Sequence, residues 1–191
     1  IYRLLRPLGQ GAMGQVFLAH DRLLDRLVAV KFIAAVEPSE AARQQFFTEA
    51  RAIARLSHPN VVAIYRVGEI QRRPYLVSEY VEGQGLEEVP RPMPWPKVVA
   101  LGIGLARGLW AVHRRGVLHR DLKPANVMLG DYGEVHVLDW GLAKIIGKRE
   151  APSEELPIVE PASGDSGSTP TLAGALLGTP GYMSPEQARG E

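Results

Sequence analysis

The chain of 191 residues contains no cysteine. Disulfide bonds and thiolate metal sites are therefore excluded, and a reducing compartment fits this composition. Long apolar runs are lacking as well. The longest, "VVALGIGLARGLWAV" at residues 98–112, is interrupted by Arg107 and is too short to cross a bilayer. We therefore expect a cytoplasmic domain with no membrane contact from this segment.

An excess of charge of either sign is also absent. The chain has 22 lysine and arginine residues against 21 aspartate and glutamate residues, a net charge of +1. This balance gives no electrostatic reason to expect a nucleic acid partner. The chain does not start with Met and shows no signal peptide, and Ile1 falls directly into a strand-like pattern. We expect a piece of a longer parent, which is free to carry a membrane anchor elsewhere.

Two regions of different composition follow each other. Residues 1–82 contain strand-like runs such as "RLVAVKFIAA" around one helical pattern, which predicts a β-rich lobe with one helix. Residues 83–191 begin with a Gly- and Pro-rich connector and continue with a helix predicted over residues 96–115 and a hairpin turning at residues 130–133. Residues 145–178 are polar and low in aromatics, which predicts a flexible insert.

The helix predicted over residues 96–115 combines an apolar stripe with three glycines. Glycine lowers helix propensity, so we expect these glycines to mark close packing against another element. The stripe comprises Val98, Leu101, Leu105, Leu109 and Val112, and the glycines are Gly102, Gly104 and Gly108.

A glycine-rich string, "GQGAMGQV", occupies residues 9–16. Taken alone it favours no more than a tight turn. A dinucleotide-binding turn would need a helix after the glycines, whereas "QVFLAHD" continues as a strand. A glycine-rich hairpin can instead cover a phosphate chain, because glycine lets backbone N–H groups approach the oxygens.

Lys31 lies inside an apolar strand-like run, between Val30 and Phe32. A lysine at a strand end is usually solvated, but this one should have an enclosed stem, and a buried ammonium needs a partner. Glu49 lies near the apolar stripe of the first predicted helix and is the candidate. We expect the pair to place Lys31 within reach of phosphate oxygens.

The stretch "HRDLKPANVMLGDYGEVHVLDWG", residues 119–141, concentrates polar side chains around a predicted hairpin. The hairpin brings Asn126 and Asp139 to the same end, where two oxygen ligands suit Mg²⁺. Asp121 could accept a proton from a hydroxyl, and Lys123 could neutralise a transferring phosphoryl group. Any one of these residues alone would be more simply explained as a turn or cap residue, but four in one short window favour chemistry.

These motifs, in this order, resemble those of eukaryotic-type (Hanks-type) serine/threonine protein kinases, and their wording is similar to that of bacterial members. The match covers nearly the whole chain and extends to "GTPGYMSPE", which resembles the segment that receives the peptide substrate. The resemblance implies an α+β, two-lobed kinase-like fold with an incomplete helical large lobe. It implies transfer of the γ-phosphate of ATP, with Mg²⁺ or Mn²⁺, to Ser/Thr hydroxyls of a protein substrate.

The resemblance also assigns roles to residues. Asp121 corresponds to the catalytic base, Lys123 marks the Ser/Thr class, and Asn126 and Asp139 correspond to the metal ligands. Glu49 corresponds to the partner of the strand lysine on the regulatory helix. The residues that it places around ATP are Leu8, Gly9, Gln10, Gly11, Ala12, Met13, Gly14, Val16, Ala29, Lys31, Glu79, Val81 and Met128.

Three departures from the family pattern stand out. Trp140 replaces the usual Phe after Asp139. Ser78 stands just before the hinge, the segment that links the two lobes, at a position where many members carry a bulkier residue. "SPE" replaces A-P-E, after which family members continue with further helices. We therefore expect a truncated domain with an apolar exposed surface that includes part of the helix over residues 96–115.

Two other functions compete with a protein kinase. A pseudokinase that signals by conformation usually lacks the base, the strand lysine or a metal ligand, and all are present here. Small-molecule phosphotransfer is disfavoured by Lys123 and by the peptide-docking string.

The long insert carries candidate phosphorylation sites. Arg120, beside Asp121, is expected to pair with a phosphorylated residue of this loop, which would order it. Thr169 and Thr171 are the first candidates because they are nearest to the substrate-docking string. Thr179 is expected instead to hydrogen-bond Asp121 and Lys123 as a structural hydroxyl. A passive linker is the alternative.

Overall fold

We analysed a computed structural model of the chain. It describes residues 1–11, 14–33, 39–140, 144–145 and 178–189. Of the insert predicted over residues 145–178, only the two end positions fall within these ranges.

Five antiparallel strands form the first sheet, in the order β1–β2–β3–β5–β4. They are β1 (Tyr2–Gly11), β2 (Gly14–Asp21), β3 (Arg26–Ile33), β4 (Ile64–Ile70) and β5 (Arg73–Glu79). β-Branched residues suit the pleated, half-buried surface of β3 and β5, where Val28, Val30 and Val77 are almost fully buried. The glycine-rich string forms the β1–β2 hairpin, in which Gly11 pairs with Gly14.

Helix α1 (Glu40–Ala54) lies between β3 and β4 in the chain. Ala50 and Ile53 of the predicted apolar stripe are buried. Arg43 Nη2 donates a 2.7 Å hydrogen bond to Glu69 Oε2, which joins the first turns of α1 to the end of β4. The helix that carries Glu49 is therefore attached to the sheet by an ion pair as well as by packing.

The remaining elements are short except for one helix. They are β6 (Gly83–Gly85), α2 (Trp95–His113), β7 (Val117–Leu118), β8 (Val127–Gly130), β9 (Val135–Val137), β10 (Lys144–Ile145) and α3 (Pro185–Ala188). Strands β6, β8 and β9 form one small sheet, and β7 pairs with β10. The predicted hairpin is present as β8 and β9, but Asn126 ends a 3-10 turn before β8 and is not part of the strand.

Glycine packing on α2 follows the prediction at two of three positions. A Cβ on Gly108 would meet Asn60 O at 2.7 Å, and one on Gly104 would meet Val135 Cβ at 3.0 Å. Gly102 has nothing within 4 Å, so the prediction was wrong there. The expectation that Val98 belongs to the buried stripe was wrong too, because its side chain is exposed.

The exposed face of α2 is strongly apolar, as the sequence predicted. Four side chains in its first three turns are about half exposed or more: Trp95, Val98, Val99 and Ile103. In the ranges that the structure describes, no helix is both long enough and apolar enough to span a bilayer.

One hydrophobic cluster connects the two regions of the chain. It contains Ile53 of α1, Val112 of α2, Val137 of β9 and Trp140. Val62 N and Val137 N donate hydrogen bonds to Val137 O and Asn60 O, so the segment before β4 is fastened to β9. This packing fixes the position of the loop that carries Asp139 relative to α1.

Candidate active site

The segment between β7 and β8 assembles a dense polar network around Asp121, whose side chain is almost fully buried. Lys123 Nζ lies 2.9 Å from Asp121 Oδ2. Asn126 Nδ2 donates to the backbone oxygen of Asp121 at 2.8 Å and more weakly to Oδ2 at 3.3 Å. The network fixes the carboxylate in one orientation, as an acceptor of protons or hydrogen bonds.

Two opposing influences act on the pKa of Asp121. Burial raises it, while hydrogen bonds from Lys123 and Thr179, the Lys123 charge and the Asn126 amide lower it, and the balance lies below the usual 3.8. The carboxylate is therefore ionised at neutral pH. It can act as a positioned base or as an electrostatic partner for a hydroxyl.

The segment "GTPGYMSPE" reaches this network through Thr179. Its hydroxyl donates to Asp121 Oδ1 at 2.7 Å and accepts from Lys123 Nζ at 2.7 Å. The predicted structural role of Thr179 is thereby confirmed. A single hydroxyl ties the segment before α3 to both charged side chains.

Gln187 makes a second link that the sequence analysis missed. Its Nε2 donates to Arg120 O at 2.5 Å, and its backbone N–H donates at 3.4 Å to Ser184 Oγ, the N-cap of α3. Arg120 has a positive φ of 67°, which is uncommon for a residue with a side chain. Gln187 thus supports the unusual backbone turn directly before Asp121, and the only sequence signal was its place next to "SPE".

Lys31 and Asp139 meet across the site although 108 positions separate them in the chain. Lys31 Nζ forms an ion pair with Asp139 Oδ1, and the lysine side chain is 13% exposed. The enclosed stem predicted for Lys31 is therefore observed. Asp139 also has a positive φ, 54°, so its backbone is held in a rarely used conformation.

The predicted partner of Lys31 was Glu49. The side chain of Glu49 accepts a hydrogen bond from Gln45 Nε2 at 3.0 Å within α1. The described ion pair of Lys31 is the one with Asp139. The pairing of Lys31 with Glu49 stays a prediction.

His119 is a second residue whose role the sequence analysis did not identify. Because a carbonyl only accepts, its Nε2 must donate to Leu138 O at 2.8 Å, and Nδ1 then accepts from the backbone N–H of Asp121 at 3.3 Å. Burial lowers its pKa, against smaller opposing effects from Leu138 O, Asp139 and Asp121. A neutral imidazole therefore links the backbone before Asp139 to that of Asp121.

Trp140 packs against His119, with ring centroids 4.6 Å apart. It is buried, and its indole N–H has no hydrogen-bond partner in the described part of the chain. The large apolar ring thus occupies the cluster between the two regions, as expected for a replacement of Phe.

Most of the residues expected around the nucleotide lie on the five-stranded sheet or directly after it, and Met128 lies on the three-stranded sheet. Val16 pairs with Lys31 across β2 and β3, Ala29 pairs with Ser78, and Met128 lies in β8. Side chains of Leu8, Val16, Ala29, Glu79, Val81 and Met128 are all partly or fully accessible, as a cleft lining requires. Gly9, Gln10, Gly11 and Gly14 belong to the β1–β2 hairpin.

Four of the predicted residues, Ala12, Met13, Thr169 and Thr171, lie outside the described residues.

Comparison with known proteins found matches to protein kinases. The sequence profile described as protein kinase domain matches residues 2–191. A probable serine/threonine-protein kinase of Streptomyces coelicolor is 42% identical over 200 residues, which cover 100% of this chain and 27% of that protein. The serine/threonine-protein kinase pkn2 of Myxococcus xanthus is 40% identical over 195 residues, covering 99% and 22%. The chain thus spans about a quarter of the length of these curated relatives.

A solved structure agrees with the architecture. The kinase domain of PknI from Mycobacterium tuberculosis superposes with a TM-score of 0.64 at 30% sequence identity, covering 81% of this chain and 64% of that one. The α+β, two-lobed kinase-like fold expected from the sequence is confirmed. The boundary expected at residue 82 stays a prediction.

Proposed function

Since the chain belongs to the protein kinase family, we propose that its parent protein transfers the γ-phosphate of ATP to serine or threonine hydroxyls of proteins. Asp121 would accept the hydroxyl proton or orient the hydroxyl, and Lys123 would stabilise charge on the transferred group. Catalysis would rest on positioning and charge neutralisation, because phosphoryl transfer needs little covalent help from the protein.

The observation that carries this proposal is the three-way contact of Asp121, Lys123 and Thr179. An ionised carboxylate and an ammonium share one threonine hydroxyl at 2.7 Å. This arrangement supports recognition of a substrate hydroxyl in the same neighbourhood. The named relatives, which are serine/threonine-protein kinases, agree with that chemistry.

A divalent cation fits the residues present. Asn126 uses its amide nitrogen toward Asp121, which leaves the amide oxygen as its ligand atom. Asp139 already accepts a cation in the form of the Lys31 ammonium. Hard oxygen donors of this kind, completed by phosphate oxygens, are what Mg²⁺ prefers. When bound, the ion would neutralise charge on the ATP phosphates, and Mn²⁺ would suit the same ligands.

Phosphate transfer by the full-length protein tests the proposal. We expect wild-type protein to move ³²P from γ-labelled ATP to a protein substrate or to itself, and Asp121→Asn to lower the rate roughly 10²- to 10⁴-fold. ATP affinity should hold in the variant, because Asp121 is assigned to the hydroxyl and not to the nucleotide. Near wild-type turnover in Asp121→Asn would refute the assigned role. Absence of transfer in wild type, with ATP still bound, would favour a pseudokinase.

We further propose that phosphorylation at Thr169 or Thr171 activates the parent. Phosphate adds about −1.5 to −2 charge and can order a loop by pairing with arginine. Mass spectrometry of the active enzyme should find phosphate there, and the Thr169→Ala/Thr171→Ala variant should lose activity while Ser163→Ala serves as a matched control. A double variant as active as wild type would leave the insert as a linker.

A further inference from the structure

Charge is unevenly distributed along a chain that is nearly neutral overall. Two segments, residues 50–68 and 89–120, contain nine of the 22 lysine and arginine residues and none of the 21 acidic residues. The first segment covers the end of α1 and the entry to β4, and the second covers α2 and β7. The near-zero net charge therefore conceals a strongly basic part of the molecule.

The two segments meet next to the C-terminal ends of α1 and α2. A groove of about 530 Å³ opens between the residues that follow α1 and the last turn of α2. Its lining combines apolar side chains with hydroxyl and guanidinium groups and includes no residue assigned above to phosphotransfer. The lining residues are Leu56, Ser57, Trp110, Ala111, Arg114 and Arg115.

The basic groups at this groove have no acidic partners among the described residues. No carboxylate of the described residues forms an ion pair with Arg114 or Arg115, whereas Arg43 on α1 pairs with two glutamates. The Arg114 guanidinium lies 4.9 Å from the centroid of the Trp110 ring, and that indole is 60% exposed. A helix C-terminus favours one nearby cation, but this effect does not account for an exposed tryptophan beside two arginines in one groove.

We propose that this groove, lined by the six residues named above, binds an acidic peptide segment of a protein partner. A leucine or aromatic side chain of the peptide would enter between Leu56 and Trp110. Flanking glutamates or aspartates would pair with Arg114 and Arg115, and Ser57 would offer a hydroxyl. Tryptophan and arginine together are the residue types that most often dominate the energy of a binding interface.

The shape of the groove favours a peptide over other polyanions. A concave site of this volume accommodates one or two side chains, whereas a bilayer surface or a nucleic acid backbone needs a broader basic face. The inference goes beyond phosphotransfer, and binding can be measured whether or not the proposed activity holds.

Fluorescence anisotropy with the full-length protein tests the inference. The probe is a short fluorescein-labelled peptide in which glutamates flank one leucine, without serine or threonine. We expect roughly micromolar binding that weakens as salt is added. Replacing the leucine of the probe by glycine, or its glutamates by glutamine, should each weaken binding about tenfold or more.

Protein variants locate the site. Arg114→Glu and Arg115→Glu should each weaken binding of the acidic probe about tenfold or more, and Trp110→Ala about fivefold or more. Arg22→Glu, which makes the same charge change at an exposed turn after β2, should bind as wild type does. Unfolding temperatures are compared first, and if a charge reversal unfolds the protein, Arg115→Gln replaces it with a smaller expected loss.

Three results would overturn the inference. The first is an acidic probe that fails to bind below millimolar concentration. The second is binding that Arg22→Glu weakens as much as Arg115→Glu does. The third is tighter binding of phosphatidylserine vesicles or of a mixed-sequence DNA duplex through the same two arginines, which would assign the groove to a membrane or to nucleic acid.

Discussion

The candidate site has two ends that are held together in different ways. The hydroxyl end is the surroundings of Asp121, where the substrate hydroxyl is proposed to bind, and the nucleotide end is the surroundings of Lys31 and Asp139, where ATP is proposed to bind. At the hydroxyl end, Asp121 is fixed by three neighbouring side chains, those of Lys123, Asn126 and Thr179. At the nucleotide end, a long-range ion pair joins Lys31 to Asp139. The groups at the hydroxyl end are thus oriented by neighbours that lie close to them in the chain or in the segment before α3.

The difference indicates how each end would respond to its ligand. When the groups of a network are already oriented, binding of a substrate hydroxyl requires little further reorganisation. The Lys31–Asp139 pair, by contrast, joins two residues that are each assigned to ATP or its metal. In the proposed reaction, contacts to phosphate and cation would replace this pair, and we expect ATP affinity to be sensitive to both residues.

Removing the lysine should produce the largest contrast between the two ends. Lys31→Met should lower kcat/KM for ATP by about 10²-fold or more, because a charged donor to the phosphates is lost. The KM for the protein substrate should change much less. Steady-state kinetics with each substrate varied in turn measures both quantities.

The same variant tests the predicted partner on α1. If Glu49 also contacts Lys31, the effects of Lys31→Met and Glu49→Gln should fail to add in a double-mutant cycle. Simple additivity of the two effects on kcat/KM would rule the pair out. Glu40→Gln, an exposed glutamate at the start of the same helix, is the matched control.

Thr179→Val should have a smaller effect, confined to the hydroxyl end. The variant keeps the side-chain shape but loses both hydrogen bonds to charged groups, so kcat should fall about 10- to 100-fold. KM for ATP should stay near wild type, and Thr179→Ser, which keeps the hydroxyl, should recover most of the rate. A serine variant as slow as the valine variant would contradict the hydrogen-bonding role.

The smallest expected effect concerns the free energy of unfolding at acidic pH, which should depend on His119, the residue that links the backbone before Asp139 to that of Asp121. The pKa of His119 in the folded protein lies below its usual 6.5 because the ring is buried, so the unfolded chain binds more protons. Stability from the neutral ring is present above about pH 6.5 and is lost as the pH falls toward the folded pKa. Denaturant unfolding at about pH 7 and pH 5 should show a larger loss for wild type than for His119→Asn.

One result would contradict this prediction. If wild type and His119→Asn lose the same unfolding free energy between the two pH values, other groups determine the acid sensitivity. Asp121 should not contribute over this range, since its pKa lies below 3.8 and its stabilising contribution is lost only in stronger acid.

Much of the site could be predicted from short motifs. "HRDLKPAN" and "DWG" identified Asp121, Lys123, Asn126 and Asp139, because four polar side chains in one short window favour chemistry and the strings resemble motifs of the family. The motifs did not reveal His119 or Gln187 as supports. Those two act through hydrogen bonds to backbone atoms, which depend on how the chain folds and leave no pattern in the residue types nearby.

The sequence by itself determined the order of the long strands and of α1 and α2, the family and the residue types at the site. It also determined the separation of charge, because acidic residues are absent from two whole segments. The tertiary structure decided which residues contact each other. Gly102 and Gly108 look alike in the sequence, yet one faces open space and the other meets Asn60 O, because only packing determines which face of α2 is covered. Likewise, the pairing of Lys31 with Asp139, 108 positions apart, exists only because the folded lobes bring both ends to one cleft.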